Sequence, residues 1–409
     1  MISFPGNAGC RYNNHEIMKK NVRTGIIGSG YAAQFHLDAL QKVNVAAVDV
    51  TGVYSRNPEN TEKFASKNGL SSFTSLAELI DASDVLHVCT SPVSHEEIAL
   101  QVLKRDKDVI IEKPLTGYFG SGENFNGETF SRKVGLEQAA ASVKRMLEAE
   151  KASKGMIMYA ENWIYAPAIQ KEKEVIEKTK AQILWIQAQQ SHSGSHSLDY
   201  GKWKFSGGGS LMGKGCHPLS AVIYLKAVEG IVLNGKPIRP KSVSCKTHAI
   251  TRLSGFKNQG HLRDSYTDVE DHASVHLVFE DGTIADIVAN ELVHGGVKNY
   301  LEVHANNHRT ICNLTPNNAM QTYNPVDANF ADIYVSEKIG TKQGWSNMSP
   351  DESWFNGYQH ELDAFYKSHL SREEAESNSR LAADVIVTIY TAYLSAERKG
   401  EEVTIELEH

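Results

Sequence analysis

A glycine-rich turn between a strand-like run and a helix-like run is the feature that most constrains the fold of this chain. Residues 24–27 are apolar and short enough for a buried strand, and residues 31–43 repeat apolar side chains at helical spacing. The turn between them reads G-x-G-x-x-A: Gly28 permits the tight bend, Gly30 leaves room for a pyrophosphate, and Ala33 lets helix and strand pack closely. Free N–H groups and the dipole at the helix N-terminus favour a phosphate there. The pattern predicts a dinucleotide site, whose contacts in this turn are Gly28, Gly30, Tyr31 and Ala32.

The second predicted strand covers residues 45–54, and the residues that follow it bear on the choice between NAD and NADP. A carboxylate at this point would bind the 2′-hydroxyl of the adenosine, but the chain has Ser55 and Arg56 instead. Arg56 beside a hydroxyl can accept a 2′-phosphate, which favours NADP. Alternatively Arg56 stacks on adenine or faces solvent, which leaves NAD as the cofactor. Both cofactors stay open.

Strands and helices alternate through the first 160 residues. Residues 84–90 and 108–111 are apolar enough for buried strands, and helical runs cover residues 57–67 and 94–103. Such alternation predicts a doubly wound parallel sheet with ligands at the carboxyl ends of its strands. The residues at those ends, and therefore further predicted cofactor contacts, are Thr90, Ser91, Pro92, His95, Glu112 and Lys113.

Composition excludes several classes of function. The 409 residues carry a net charge of −7 without a long basic run, so nucleic acid and anionic membranes are not expected partners. No apolar stretch is expected to reach the ~20 residues of a membrane span, and the N-terminus lacks a signal-peptide pattern. The cysteines are odd in number and without a CxxC pair, which favours a reducing, cytoplasmic location. They are Cys10, Cys89, Cys216, Cys245 and Cys312.

Several segments of the chain resemble the Gfo/Idh/MocA family, the glucose–fructose oxidoreductase and inositol dehydrogenase group. They are GIIGSGYAAQFH (25–36), CTSPVSH (89–95), IIEKPLT (110–116), GGGSLMGKGCHPLS (207–220) and TAYLSAERKGEEVTI (391–405). The resemblance implies an α/β fold: an N-terminal Rossmann domain with a doubly wound parallel sheet, then a C-terminal α/β domain with a large, open, mostly antiparallel sheet. That sheet often forms oligomer contacts in the family, so a homo-oligomer is expected.

The resemblance divides the chain into two domains and two short ends. A Rossmann domain is expected at 19–161 and a substrate-binding and oligomerisation domain at 162–406, with the final helix packing back on the first domain. Residues 1–18 are an expected N-terminal extension, and 407–409 a possible tag remnant.

The resemblance also implies reversible hydride transfer between NAD(P) and a secondary hydroxyl of a sugar, polyol or glycoside, including C3 of a pyranoside. Lys113 matches the family's catalytic lysine, before a Lys113–Pro114 peptide expected to be cis. His217 matches its catalytic histidine, a general base toward the substrate hydroxyl, and Lys113 would hydrogen-bond the developing alkoxide.

One position departs from the family pattern. The family commonly has Asp four residues before this histidine, where the chain has Gly213. Three interpretations follow: another group supplies the carboxylate, Lys113 and His217 suffice alone, or the chain binds without catalysing. Two rival functions remain: an NAD-dependent glycosidase of the same family that oxidises the ring transiently, and a non-catalytic dinucleotide or sugar sensor, which Gly213 favours.

Polar and aromatic residues around the second domain's entrance are predicted to bind the substrate, with interdomain packing as the alternative for Trp163. Metal binding by the histidines is the less favoured alternative, since no acidic partner accompanies them, and no metal is predicted. The predicted substrate contacts are Lys113, Asn162, Tyr165, His192, His196, Trp203 and His217.

The stretch 117–135 is longer than the family's usual connection and alternates glycines with Tyr118, Phe119, Phe125 and Phe130. Loops of this length inside a domain are commonly functional. The stretch is therefore expected to be a lid over the substrate or an oligomer contact.

Overall fold

Five parallel strands form the first sheet, in the order β2-β1-β3-β4-β5. The computed structural model describes residues 19–195 and 197–407, so the predicted extension 1–18, His196 and the last two residues lie outside it. The strands are β1 (Asn21–Ile27), β2 (Ala47–Tyr54), β3 (Val85–Val88), β4 (Asp108–Glu112) and β5 (Ile157–Ala160). The prediction of a doubly wound parallel sheet is confirmed.

Helices connect these strands, as right-handed parallel crossovers require. They are α1 (Tyr31–Leu40), α2 (Pro58–Asn68), α3 (Leu76–Ala82), α4 (His95–Leu103) and α5 (Arg132–Lys151). The side chain of Asn57 caps α2 by accepting from the backbone N–H of Asn60, and Pro58 occupies the first turn, where no N–H is needed. β3 and most of β4 are wholly buried, as expected for strands covered by helices on both faces.

The order in which the chain adds strands to this sheet reverses at β1. After β1 the chain moves outward to β2, and then it crosses to β3 on the other side of β1. The carboxyl ends of two such strands leave a crevice between the loops that follow them, and ligands of open α/β sheets bind in this crevice. The glycine turn after β1 and the loop Cys89–Pro92 after β3 therefore meet at one place.

The second sheet has seven strands in the order β11-β10-β6-β9-β8-β7-β14. Neighbouring strands are antiparallel except β6 and β9, so the expected large, mostly antiparallel sheet is confirmed. Its strands are β6 (Ile183–Ser191), β7 (Pro240–His248), β8 (His272–Phe279), β9 (Ile284–Asn290), β10 (Lys298–Ala305), β11 (Arg309–Thr315) and β14 (Val403–Thr404). A separate antiparallel ribbon is formed by β12 (Gln321–Asn324) and β13 (Gly344–Asn347).

Helices of the second half join this sheet to the first domain. They are α6 (Asn162–Tyr165), α7 (Pro167–Thr179), α8 (Trp203–Ser206), α9 (Cys216–Asn234), α10 (Glu352–Phe355), α11 (Tyr358–Ser371) and α12 (Ser379–Glu397). The final helix, α12, packs against both α5 and β7. It is buried along almost its whole length, because it lies between α5 of the first domain and β7 of the second sheet.

One helical run, Trp203–Asn234, has the length and mean hydropathy of 1.4 that a membrane-crossing helix would need. The sequence expectation that no stretch reaches this length was therefore too strict. In the fold, 78% of the most apolar part of this run is buried, and a core helix has the same composition. A π-helical turn, Leu211–Gly215, interrupts the run just before α9.

Candidate active site

A cavity of about 900 Å³ opens at the carboxyl ends of β1 and β3 and extends to the second sheet. Residues from both sheets line it, as expected for a site between a nucleotide-binding half and a substrate-binding half. The predicted site residues that line the cavity are Gly28, Gly30, Tyr31, Ala32, Ser55, Arg56, Thr90, Ser91, Pro92, Glu112, Lys113, Asn162, His192 and His217.

The glycine turn is tightly packed at Gly28 and open at Gly30. Gly28 has a φ of +119°, and a Cβ there would lie 2.5 Å from the carbonyl oxygen of Cys89, so a larger residue would collide with the neighbouring loop. A Cβ on Gly30 would meet no atom within 4 Å, and no side chain caps the start of α1. The N-terminal end of α1 therefore faces open space at Gly30, which fits the pyrophosphate of a dinucleotide.

Ser55 and Arg56 line this cavity directly after β2, where the sequence predicts the adenosine of a dinucleotide. The hydroxyl of Ser55 is held by Thr61, at 2.7 Å, and by Ser29, at 3.1 Å. Arg56 is exposed at the cavity edge. Since no carboxylate follows β2, the 2′-position of an adenosine would meet a hydroxyl and a guanidinium.

Lys113 enters the cavity from the end of β4. The Lys113–Pro114 peptide is cis, as expected, and the ammonium Nζ donates to the carbonyl oxygen of Gly213 at 3.2 Å. Burial alone would lower the pKa of Lys113, but the groups around it, first Tyr200 and Cys216 and then two carboxylates, outweigh burial and raise it. Lys113 is therefore a fixed positive charge in the site.

His217 is oriented by a carboxylate that the sequence analysis missed. Its Nδ1 donates to Oε1 of Glu161 at 2.6 Å, and its ring lies parallel to that of Trp163, with centroids 6.0 Å apart. Glu161 is fully buried between β5 and α6. Because Glu161 holds the proton on Nδ1, Nε2 carries the lone pair of the neutral ring. The pair has the arrangement of a base and the acidic group that orients it.

Burial is the main cause of the lowered pKa of His217, and the positive charge of Lys113 lowers it further. The hydrogen bond and charge of Glu161 act in the opposite direction but do not outweigh burial. The ring is consequently neutral at neutral pH and able to accept a proton.

The position of the family's aspartate is filled by an aromatic ring. A Cβ on Gly213 would lie 3.0 Å from Cδ1 of Tyr200, so a side chain there would press on that ring. Tyr200 lies 5.5 Å from the ammonium of Lys113, measured to the ring centroid. The neighbouring Lys214 points away, to Glu291 at 3.0 Å. Of the three interpretations of Gly213, the geometry favours the first, with Glu161 as the carboxylate.

Glu112 is held in place by a chain of buried histidines. His36 Nε2 donates to Oε1 of Glu112 at 3.0 Å, and His36 Nδ1 lies 2.7 Å from Nδ1 of His87. Burial opposes a charge on His36, but Cys89 and Glu112 raise its pKa well above the usual value. The other oxygen of Glu112 accepts from the backbone N–H of Lys113 at 3.1 Å. The network therefore fixes the backbone at Lys113.

Three predicted contacts lie elsewhere. His95 was predicted to touch the cofactor, but it is buried beneath the cavity with its ring nitrogens 2.9 and 3.0 Å from the carbonyl oxygens of Pro114 and Thr90. Tyr165 was predicted to touch the substrate, but its hydroxyl pairs with Ser377 at 2.9 Å inside the core. Neither residue lines the cavity.

Trp203, the third, is buried in an aromatic cluster with residues of the segment 117–135. Its indole N–H donates to the carbonyl of Tyr118 at 2.8 Å, and its ring lies 4.9 Å from that of Phe130. Phe125 packs on both Tyr118 and Phe130. No residue of 117–135 lines the cavity, so the hypothesis that this segment is a lid over the substrate gains no support. The alternative, that the segment forms an oligomer contact, stays a prediction.

The pair of His217 and Glu161 has one more metal-binding residue type beside it, Cys216, and the ligand atoms of these three side chains lie within 4.8 Å of one another. Burial raises the pKa of Cys216 to about 12, so without a metal its sulfur is a thiol. The hydrogen bond between Glu161 and His217 already accounts for the other two groups. The absence of a metal stays a prediction.

Comparisons with known proteins agree with this architecture. A family model described as an oxidoreductase family with an NAD-binding Rossmann fold matches residues 22–125, and a GFO/IDH/MocA C-terminal domain model matches residues 170–309. The glucose-6-phosphate 3-dehydrogenase of Bacillus subtilis is 42% identical over 93 residues, which are 23% of this chain and 26% of that protein. A levoglucosan dehydrogenase of Pseudarthrobacter phenanthrenivorans is 25% identical over 329 residues, 74% of this chain and 76% of that one. The chain thus spans under a third of the length of the first two curated relatives.

Solved structures share the whole fold. GenD2 from gentamicin A biosynthesis, in complex with NAD, superposes with a TM-score of 0.76 at 21% identity, over 95% of this chain and 97% of that one. The myo-inositol dehydrogenase of Lactobacillus casei, in complex with NAD(H) and myo-inositol, superposes with a TM-score of 0.66 at 17% identity. The match covers 95% of this chain and 98% of that one. Both domains of this chain match, and its first domain is an NAD-binding Rossmann fold: the chain belongs to the Gfo/Idh/MocA oxidoreductase family.

Proposed function

We propose that the chain is an NAD(P)-dependent dehydrogenase that acts on a secondary hydroxyl of a sugar, polyol or glycoside. The observation that carries the proposal is the convergence of three features on one cavity. The glycine turn at Gly28 and Gly30, the ammonium of Lys113 and the oriented imidazole of His217 all line it. A bound nicotinamide would supply the hydride acceptor or donor.

Each polar group of the site has a chemical role in this proposal. In the oxidation direction, Nε2 of His217 accepts the proton of the substrate hydroxyl as the carbon gives up its hydride. Glu161 keeps the ring in the tautomer that can accept this proton and stabilises the imidazolium that results. Lys113 donates a hydrogen bond to the oxygen on which negative charge develops. In the reduction direction the same groups return the proton.

The substrate side of the cavity suits a ligand with many hydroxyls. Gln190 and Asn299 face each other across β6 and β10, and both line the cavity. They are 8% and 6% exposed, and within the described residues Oε1 of Gln190 and Oδ1 of Asn299 have no hydrogen-bond partner. A buried polar atom without a partner is costly, so a ligand hydroxyl that pairs with it would bind favourably. Asn162 and His192 add polar groups, in support of their predicted roles.

The relatives point the same way. Several are named for oxidation or reduction of a sugar, among them glucose-6-phosphate 3-dehydrogenase, UDP-N-acetylglucosamine 3-dehydrogenase and levoglucosan dehydrogenase. The two 3-dehydrogenases support oxidation at C3 of a pyranose. These names, with the oriented base, favour a dehydrogenase over a glycosidase or a sensor.

A panel of sugars, polyols and methyl glycosides, read at the nicotinamide absorbance with NAD and with NADP, tests the proposal. We expect reduction of the nicotinamide with at least one pyranose or polyol. Release of free sugar without net nicotinamide reduction would replace the proposal with the glycosidase. Binding of dinucleotide without turnover of any member would replace it with the sensor.

Arg56 is expected to decide how well the site accepts NADP. We expect Arg56→Ala to weaken NADPH binding about tenfold or more, since a charge-assisted hydrogen bond to the 2′-phosphate would be lost, while NADH binding changes little. Nicotinamide fluorescence titration measures both affinities. Arg105→Ala, a change at an arginine that does not line the cavity, is the control. Equal losses for the two cofactors would place Arg56 away from the 2′-position.

The domain boundaries at 161/162, the cytoplasmic location and a homo-oligomer through the second sheet also belong to the proposal. Leu184 on β6 and Ile311 on β11 are 46% and 47% exposed, which supports a contact on that sheet. Light scattering of the purified chain would measure the oligomer.

A further inference from the structure

A second cavity, of about 430 Å³, adjoins the catalytic cavity. Val297 and Asn299 line both cavities. Asn299 lies near the start of β10 and is almost fully buried, with its Oδ1 unpaired among the described residues. Because both residues line each cavity, the second cavity lies directly beside the first, next to a ligand that extends as far as Asn299.

Asparagines are the commonest polar residues in the lining of the second cavity. Within the described residues its lining includes no carboxylate side chain, and its asparagines are Asn299, Asn313, Asn317, Asn318 and Asn347. Each amide offers both donors and an acceptor without net charge. Lys298 and His294 also line this cavity and add two hydrogen-bonding groups, so the lining as a whole matches ligands with many hydroxyls.

An exposed aromatic pair continues from this cavity along the ribbon of β12 and β13. Trp345 and Tyr323 are directly paired across the ribbon, 75% and 57% exposed, with ring centroids 5.5 Å apart. Asn347, which lines the second cavity, is two residues beyond Trp345 and therefore on the same face, about 7 Å along the strand. Gln321 Nε2 holds the Asn347 oxygen at 2.9 Å. Large exposed aromatic rings with a polar neighbour usually mark a binding surface.

We propose that the second cavity and the Trp345–Tyr323 pair form an extended carbohydrate-binding site. This inference rests on the proposed dehydrogenase function and narrows its substrate class. The substrate is an oligosaccharide or a glycoside with a sugar aglycone, whose terminal unit reacts between Lys113 and His217. The next unit lies among the asparagines, and a third stacks its apolar face on Trp345.

Binding of matched sugars to the full chain tests this proposal. Titration calorimetry would compare methyl glucoside, methyl mannoside and methyl N-acetylglucosaminide with maltose and maltotriose, cellobiose and cellotriose, mannobiose and mannotriose, and chitobiose and chitotriose. We expect at least one trisaccharide to bind about tenfold more tightly than its methyl glycoside. Trp345→Ala should remove most of that gain and leave the methyl glycoside affinity unchanged. Trp345 is largely exposed, so the variant is expected to fold.

Leu253→Ala, at an exposed apolar residue that lines neither cavity, is the matched control and should keep the gain. Oxidation of monosaccharides without any gain for longer sugars would overturn the extended site and leave the dehydrogenase standing. A gain lost in Trp345→Ala without nicotinamide reduction by any sugar would support the carbohydrate site and overturn the dehydrogenase. A change of oligomer mass in Trp345→Ala, with sugar affinity intact, would show a contact between copies and overturn the proposal.

Discussion

Replacement of His217 by alanine is expected to lower kcat for sugar oxidation by about 10³-fold, within the 10²–10⁴ range of general acid–base catalysis. The imidazole is the group placed to accept the hydroxyl proton, with its Nδ1 committed to Glu161. Dinucleotide affinity should stay within about twofold, because the glycine turn lies at another end of the cavity. Steady-state kinetics and a separate NADH titration would give the two values. A variant that retains turnover would remove His217 from the mechanism.

Glu161→Gln separates orientation from proton transfer. The amide keeps the shape of the carboxylate but loses its charge, so His217 loses the interaction that raises its pKa. Oxidation needs the neutral ring, so activity falls as the pH drops through the pKa of His217, and in Glu161→Gln this fall should move to lower pH. The rate on the plateau should also fall, by about 10²-fold, because the tautomer is no longer fixed. A purely structural role for Glu161 would leave the pH profile unchanged, and Glu172→Gln, another buried glutamate that does not line the cavity, is the control.

The first half of the site could be predicted because its information is local. The strand, the glycines and the helix N-terminus are contiguous, and only a small residue can pass the Cys89 carbonyl at Gly28. The carboxyl ends of parallel strands then gather Ser91, Glu112 and Lys113 at one edge without any knowledge of side-chain packing.

Glu161 was missed because its partner is 56 residues away in sequence, and only the packing of α6 on α9 brings the two together. A signal existed: an acidic residue directly after a buried strand, β5, lies at the same sheet edge as Lys113. A carboxylate that is fully buried at a ligand-binding edge needs a charged or hydrogen-bonding partner, and His217 was the available one.

The sequence also predicted substrate contacts for Tyr165 and Trp203, which the structure places in the core, and the reason for this difference is not the same. Their ring and polar tip suit a sugar, but the same combination suits a core position where the tip finds a protein partner. Here the partners are Ser377 and the carbonyl of Tyr118, contributed by segments remote in sequence. No local pattern separates these two environments.

Lys113→Met is expected to lower kcat by a further large factor, about 10²–10³-fold, with dinucleotide affinity nearly unchanged. Methionine has similar length but no charge, so the site loses the donor that stabilises the developing alkoxide. The raised pKa of Lys113 means that the ammonium persists across the range in which enzymes are assayed, so the lysine should add no pH dependence of its own. Kinetics on the best substrate of the sugar panel, from pH 6 to 10, would measure both quantities.

The matched control is Lys214→Met, at a buried lysine of the same cavity that pairs with Glu291 instead of lying beside the base. If the positive field of the cavity alone mattered, the two variants would lose similar activity, because both remove one ammonium from the same lining. If the hydrogen bond to the alkoxide matters, Lys113→Met loses kcat while Lys214→Met changes mainly KM. Equal losses in kcat would therefore contradict a direct role for Lys113. A Lys113→Met variant that retains full kcat would remove Lys113 from the mechanism and leave proton transfer to His217 and Glu161 alone.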